Sequence, residues 1–571
     1  MIRKKIVNLI IIFMFSCLIG GLLNLSILQG AKFRRLSDNN CIRLISQFGS
    51  RGNILDRNGQ VIVDNKISYD VMILPQDLNQ VDQALVLISR ILGLGIKELK
   101  LNFKKNFISS SVPVTVAANI DLKEAILLGE HKIAQPGIIV IPKPLRHYPH
   151  GSLACHVIGY VNEIDRWRLT KLEDYGYKTK DIVGFGGVEE KYDYYLRQEE
   201  GGLSVEVNHR GKFMRALGFA PPQNGKDVML TMDLAIQKIV EENLEGRKGS
   251  IVLMDPSSGE ILAMASFPNF NPSVFISRRV KIISGLFNDA DAPFINRAVE
   301  SSYPPASVFK IVVAAAGLES KKINTATSFV CQGSTMVGAR RFRCWDTHGP
   351  ENIFQALANS CDVFFYKTGL LCGAQNIHDY ALKLGLGKPV GFELSGETSG
   401  FIPSPIWRKI NKFQNWYDGD TANLSIGQGD CLVTPLQAVN MVAVFANQGY
   451  LTSPYIVKAV GGLDLSVKKK RLSAVPFKKK TFEVIAKGLA RVVTDERGTG
   501  NLLSSLPVKV AGKTGTAQVS RGATHAWFVG FFPLDKPKYA ICVFLENGGP
   551  GHAASVIAKQ IIEAMNSQGL I

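Results

Sequence analysis

Between Ile311 and Leu318 the chain reads Ile-Val-Val-Ala-Ala-Ala-Gly-Leu, and a helix of that composition has no polar face. Such a helix reads as buried on all sides. The approach to it is Tyr303-Pro-Pro-Ala-Ser-Val-Phe-Lys310. The two prolines hold that approach extended, because proline fixes φ and lacks an N–H. Ser307 and Lys310 stand three residues apart in the first turn and face the same way. A lysine at the mouth of a buried helix is costly to desolvate, which drives its pKa toward neutrality. A neutral amine beside a hydroxyl is a general base beside a nucleophile, and the helix N-terminus favours negative charge developing on the serine. A capping serine and a surface lysine would write the same S-x-x-K string, so this string alone does not separate the two readings.

Two later stretches do. Ser360-Cys-Asp362 opens a second apolar segment, Val363-Phe-Phe-Tyr366. Lys513-Thr-Gly-Thr-Ala-Gln518 lies between Val508-Lys-Val-Ala-Gly512 and His525-Ala-Trp-Phe-Val-Gly-Phe-Phe532. Both flanks have strand character, which puts the K-T-G-T motif at the edge of a sheet, where Gly515 would let a substrate backbone approach closely. Taken alone, Ser360 and Asp362 could be helix caps. The ordered set S-x-x-K, S-x-D, K-T-G resembles that of penicillin-binding proteins and class A β-lactamases.

At 571 residues the chain exceeds one compact domain. Its net charge of +18 suits an anionic partner, but no nucleic-acid motif accompanies it. The lysine triplets 468–470 and 478–480 read as solvated faces. Ile6 to Leu28 is a run of 23 residues without a charge, enough to span a bilayer core at ~20 residues per crossing. It shows no convincing cleavage site, so an uncleaved anchor is expected. Flanking charge is balanced, with Arg3, Lys4 and Lys5 before the run and Lys32, Arg34 and Arg35 after it. Because long domains cross largely regardless of charge, the N-terminus is expected inside and the bulk outside.

Further along, Asp56-Arg-Asn-Gly59 is a hairpin signal between two strand-like runs. Residues 66–145 alternate strands and helices without a catalytic cluster. His147 and His156 have no acidic neighbour in sequence, which favours packing roles. Gly184-Phe-Gly-Gly187 permits a turn before a short helix. Pro221-Pro-Gln-Asn-Gly225 reads as a linker, and Gly249 to Ser266 as a hairpin turning at Pro256-Ser-Ser-Gly259.

Arg51-Gly-Asn-Ile-Leu-Asp-Arg-Asn-Gly59, Gly187-Val-Glu189, the hairpin at 249–266 and the three motifs resemble class B penicillin-binding proteins over nearly the whole chain after the anchor. Ser-Cys-Asp in place of the commoner Ser-x-Asn resembles their elongation-specific penicillin-binding protein 2 branch. The resemblance implies an α+β multi-layer fold. A cytoplasmic tail (1–5) and a transmembrane helix (6–28) would precede a non-catalytic, dimerisation-type pedestal (29–224). A transpeptidase domain (225–571) with an antiparallel sheet between helices would follow. It implies an inner-membrane protein with a periplasmic catalytic domain. Its substrates would be peptidoglycan stem peptides, β-lactams would bind it, and a SEDS-type glycan polymerase of the elongation machinery would be its partner. Ser307 would attack the carbonyl between two D-alanines, Lys310 would take its proton, and Ser360 would relay a proton to the leaving amine under the influence of Lys513. Lys513, Thr514 and Thr516 would bind the terminal carboxylate, and the N–H groups of Ser307 and Thr516 would form the oxyanion hole. Gly427-Gln-Gly-Asp430, a turn by itself, would lie near the site. A division-specific transpeptidase is the alternative. A β-lactamase or a penicillin-sensing receptor fits less well, because no obvious E-x-x-x-N segment follows the second motif and five residues before the anchor leave no room for a signalling domain.

Cys331, Cys344, His348 and Cys361 fall within 31 residues as C-x12-C-x3-H-x12-C. They suffice for a closed tetrahedral structural zinc site, with Asp346 as a substitute ligand. Some relatives of the penicillin-binding protein 2 type carry zinc in the same interval. Acylation itself would need no cofactor. A disulfide between Cys331 and Cys344, with Cys361 a buried free thiol, is the competing reading.

Overall fold

The computed structural model describes residues 2–34, 42–78, 80–110, 112–131, 135–208, 213–277, 279–469, 472–519 and 522–571. Arg35 of the flanking charges and Lys470 of the first lysine triplet lie outside the described residues. The chain divides into two compact units, residues 1–51, 65–145 and 197–225 in one and residues 52–64, 146–196 and 226–571 in the other.

The first unit begins with helix α1, Ile2–Leu23, continued by a π-helical turn over Asn24–Leu28. Together they form one apolar helix of 27 residues. At 1.5 Å per residue its length is about 40 Å, more than the ~30 Å of a bilayer's hydrocarbon core. No other helix among the described residues is long and apolar enough to cross. Strands 42–47, 201–207 and 213–220 form an antiparallel sheet with 201–207 in the middle. Elsewhere in this unit, helices Val81–Leu92, Ile96–Asn106 and Leu122–Glu130 accompany strand Val114–Ile120. Leu85, Ile88, Leu99, Val116 and Leu128 belong to its core, as the alternation of strands and helices predicted.

In the second unit Asp56 closes the expected hairpin. Its buried carboxylate accepts from the N–H groups of Asn58 and Gln60, both at 2.8 Å, and Gly59 takes φ +81°. Helix α2 (Leu234–Leu244) leads to β1 (Gly249–Met254) and β2 (Ile261–Phe267), which pair antiparallel as predicted. Helix α3 is Lys310–Glu319, and a small hairpin, β3 (Ser334–Val337) and β4 (Arg340–Arg343), comes next. Helix α4 (Asp362–Cys372) and helix α5 (Pro435–Ala446) follow. The chain closes with β5 (Ala511–Ala517), β6 (His525–Phe532), β7 (Tyr539–Leu545) and helix α6 (Gly551–Ser567).

The central sheet is fully antiparallel in the order β2-β1-β7-β6-β5. Successive side chains on a strand point to opposite faces, and here both faces are covered. Val252, Met254, Trp527, Val529, Cys542 and Phe544 join the core that contains α3 and α5. Ile251, Leu253, Phe528, Phe532, Ile541 and Val543 join a second core with α2 and α6. Burial on both sides explains why these strands read as continuous apolar runs rather than alternating ones. Every residue of α5 is buried. Thr434 and Gln437 cap its start reciprocally, with two bonds of 3.0 Å. The result is the α+β multi-layer architecture that the sequence implied, with helix α3 inside it.

Candidate active site

The turn carrying Ser307 is a 3₁₀ segment, Ala306–Phe309, that runs directly into α3. Its approach is pinned from the sheet: the Trp527 indole N–H donates to the Pro304 carbonyl at 3.0 Å. Ala306 adopts φ +50°, a conformation that costs a non-glycine residue ~1–3 kcal/mol unless its surroundings impose it. Gly427 helps impose it. Its carbonyl accepts from the Ala306 N–H at 3.0 Å, and a Cβ there would lie 2.3 Å from the Ala306 carbonyl oxygen. The Gly427–Asp430 loop, an ordinary turn by sequence, therefore sits directly against the Ser307 turn.

Lys310, fully buried, reaches the second motif. Its ammonium donates to the Ser360 carbonyl at 2.7 Å, to Ser360 Oγ at 3.1 Å and to Asp362 Oδ1 at 2.6 Å. Three donors thus meet three acceptors. Ser360 itself has φ +53°, and this bend presents its carbonyl and hydroxyl to one amine. Sequence spacing pointed to the Ser307–Lys310 relation; the ion pair to Asp362 links positions 52 residues apart.

Lys513 lies within β5, on the edge strand of the sheet. The segment after the motif is a strand as expected, β6, but the strand before it is the motif itself, starting at Ala511 rather than at Val508. Burial first, and then the nearby Lys310 charge, hold Lys513 well below the ordinary lysine range. Its amine donates to the Thr514 carbonyl at 3.1 Å. Gly515 also serves packing. A Cβ there would meet the Pro305 carbonyl at 3.1 Å and Val308 Cγ2 at 3.2 Å, so the missing side chain lets the edge strand close on the Ser307 turn.

Ser307, Ser360, Asp362, Thr514, Gly515 and Thr516 all line one cleft of about 1010 Å³. Three features of it were not read from the sequence. Thr499 accepts from the Thr514 hydroxyl at 2.7 Å. The Gly551 N–H at the start of α6 donates to Thr516 Oγ1 at 2.9 Å. Arg343 and Trp345 form part of the rim. None of these belongs to a short motif; the topology alone brings them in.

Beside the cleft, the side-chain ligand atoms of Cys331, Cys344, His348 and Cys361 all lie within 4.8 Å of one another. His348 Nδ1 is 3.5 Å from Cys331 Sγ and 3.6 Å from Cys344 Sγ. All four cysteines of this interval and the next helix, Cys331, Cys344, Cys361 and Cys372, are free thiols, so the disulfide reading does not hold. Asp346 is no substitute ligand here: its carboxylate accepts from the Thr347 N–H at 2.7 Å, and it offers Cys331 its carbonyl. The Asp362 N–H donates to Cys344 Sγ at 3.2 Å, which ties the cluster to the second motif. His147, expected to pack, pairs instead through Nδ1 with Asp64 at 2.7 Å. His156 does pack: it lies half-buried and edge-on to Phe270, and desolvation pushes it down to about 4.

An antiparallel sheet between helices, with S-x-x-K, S-x-D and K-T-G brought to one cleft, defines the serine acyl-transferase class. The chain belongs to the penicillin-binding protein transpeptidase family. The penicillin-binding protein transpeptidase domain matches residues 249–565, and the penicillin-binding protein dimerisation domain matches residues 46–230. The chain is 33% identical to the peptidoglycan D,D-transpeptidase MrdA of Acinetobacter baumannii, over 94% of this chain and 84% of that one. It is 30% identical to MrdA of Escherichia coli K12, over 98% and 94%. Among solved structures, the penicillin-binding protein PBP2 of Helicobacter pylori in complex with MreC superposes with a TM-score of 0.83 at 28% identity, covering 93% of this chain and 99% of that one. A component of a peptidoglycan synthase complex that coordinates polymerisation and cross-linking gives 0.77 at 30% identity, covering 98% of both chains.

Proposed function

We propose that this chain is a peptidoglycan D,D-transpeptidase of cell elongation that works through an acyl-enzyme on Ser307. The observation that carries the reading is the Lys310 side-chain nitrogen, held between Ser360 and Asp362 at a cleft that Ser307 and the K-T-G strand share. Ser307 Oγ attacks the carbonyl between two D-alanines, and Lys310, acting as the neutral amine, takes its proton. The Asp362 carboxylate offsets the ammonium that results. Ser360 passes a proton to the departing D-alanine amine. Thr514, Thr516 and Lys513 hold the terminal carboxylate. The N–H groups of Ser307 and Thr516 hold the oxyanion, each worth about 3 kcal/mol. Slow hydrolysis of the ester is what separates this site from a β-lactamase.

Residues 6–28 act as the inner-membrane anchor with a cytoplasmic tail of residues 1–5, 29–224 as the pedestal and 225–571 as the periplasmic catalytic domain. By analogy with its relatives, the chain partners a SEDS-type glycan polymerase and an MreC-type scaffold. Depletion should round the cells; filamentation would support the division-specific alternative.

The Cys331, Cys344, His348 and Cys361 set fits a structural zinc ion. Three thiols and an imidazole converge, and the hydrogen bond from Cys361 holds the Cys344 thiol below the ordinary thiol range. Zinc there would supply fixed geometry and no chemical step. About one zinc per chain is expected by elemental analysis, and Cys361→Ser should lose it.

The full chain should form a stable adduct with a fluorescent penicillin, and Ser307→Ala should form none. Undiminished labelling of Ser307→Ala would refute the assignment.

A further inference from the structure

Arg343 is the one arginine or lysine among the described residues lining the cleft. Lys310 and Lys513 lie buried behind it, Lys310 engaged by Asp362. Arg343 is exposed, and its guanidinium pairs with no carboxylate among the described residues. Its backbone, by contrast, is firmly held. It ends β4, paired with Ser334. Its carbonyl accepts from the Tyr366 hydroxyl at 3.2 Å, and the neighbouring Phe342 ring packs edge-on to Tyr366 at 5.4 Å. The next residue, Cys344, belongs to the thiol–imidazole cluster and bonds the Asp362 N–H. Beyond it, Trp345 stays 59% exposed while its indole N–H donates to the Asn359 carbonyl at 3.0 Å. The rim therefore offers a positioned, unspent cation on the side of the second motif, whereas Thr514 and Thr516 of the K-T-G strand lie on β5.

We propose that Arg343 binds the carboxylate of the acyl acceptor, so that the site prefers an amine carried on the carbon next to a carboxylate. This rests on the acyl-transfer reading above and specifies the second substrate of that reaction. The acceptor amine attacks the ester carbonyl of the Ser307 acyl-enzyme. The C–N bond forms and the C–Oγ bond breaks, and the proton lost by the amine returns to Ser307 Oγ. The electron count is unchanged and no further reactant is needed. A guanidinium on the acceptor's carboxylate orients its amine toward the ester.

The test uses the full chain in detergent with an N-acyl-D-alanyl thioester as donor and either D-alanine or D-alaninamide as acceptor. The readout is the ratio of aminolysis rates for the two acceptors at low concentration. Differences in amine basicity between the acceptors cancel when this ratio is compared across variants. Arg343→Gln is expected to lower the D-alanine preference by about five-fold or more, the scale of a charge-assisted contact at a partly solvated rim. Arg343→Lys should restore part of it. Arg340→Gln, which removes a charge from the same hairpin outside the cleft lining, should keep the wild-type ratio. An unchanged ratio in Arg343→Gln, or an equal fall in Arg340→Gln, overturns the proposal. Penicillin labelling of the wild-type chain separates the two layers. A labelled wild type with an unchanged ratio in Arg343→Gln defeats the proposal alone. A wild type that takes no label defeats the acyl-transfer reading and the proposal with it.

Discussion

Two fully buried lysines lie behind the cleft lining, and their solutions differ. Lys310 has a carboxylate and two oxygens of Ser360 around its amine; Lys513 has a carbonyl and a strongly depressed pKa. Removing the partner of a buried charge leaves the charge uncompensated, typically at ~3–5 kcal/mol. Asp362→Ala should therefore lower stability by about that amount in urea unfolding. Asp362→Asn keeps an acceptor toward Lys310 and should lose less. Equal stabilities for wild type and Asp362→Ala would mean that the pair does not hold the site together. Gly515→Ala places its methyl about a third of an ångström inside ordinary contact with the Pro305 carbonyl and Val308. It should push the edge strand off the Ser307 turn, cost ~1–3 kcal/mol and slow penicillin acylation. Acylation at the wild-type rate would show that the turn does not depend on this closure.

At the scale of elements, α2 is tied to the turn before residue 155 through Glu241. Its Oε1 accepts from the Ala154 N–H at 2.5 Å and from Gln237 Nε2 at 2.7 Å, and burial pushes the carboxyl up to about 7 from 4.5. Between those two values the folded chain keeps a proton that the unfolded chain has lost. This group therefore lowers stability as pH rises across that window. His156, depressed by burial, acts in the opposite sense, so the comparison must be made by substitution. Relative to wild type, Glu241→Gln should gain thermal stability steadily from about pH 4.5 to 7 and hold the gain above it. A pH-independent difference would contradict the assignment. What the sequence made legible at this scale was what periodicity and turn residues encode. The hairpin at Asp56–Gly59, the β1–β2 hairpin and the buried helix behind Ser307 were all readable from the residues themselves. The edge position of K-T-G-T and the strand after it, β6, were legible too, though the edge strand proved to be the motif itself rather than the segment before it. The Lys310–Asp362 ion pair, the seat of Gly427 against Ala306 and the Thr499–Thr514 bond were not. Each joins residues far apart in the chain, and local composition carries no record of such pairings. The packing of Gly515 against Pro305 and Val308 was hidden for the same reason: a missing side chain does not say which neighbour fills its space.

At the scale of the whole molecule, the apolar helix Ile2–Leu28 is long enough to cross a membrane, and the cleft lies in the second unit. A chain lacking residues 1–28 should partition into the aqueous phase and still take up penicillin, whereas the full chain should require detergent; an aqueous full chain would argue against an anchor. The central claim is that the cleft of the second unit transfers an acyl group through Ser307. The most direct measurement is mass spectrometry of the full chain quenched during reaction with an N-acyl-D-alanyl-D-alanine stem peptide, or with the corresponding thioester if the ester is short-lived. The expected result is a single adduct equal to the donor less its leaving group, mapped to the peptide containing Ser307 and absent from Ser307→Ala. An adduct on another residue, or its persistence in Ser307→Ala, would contradict the account.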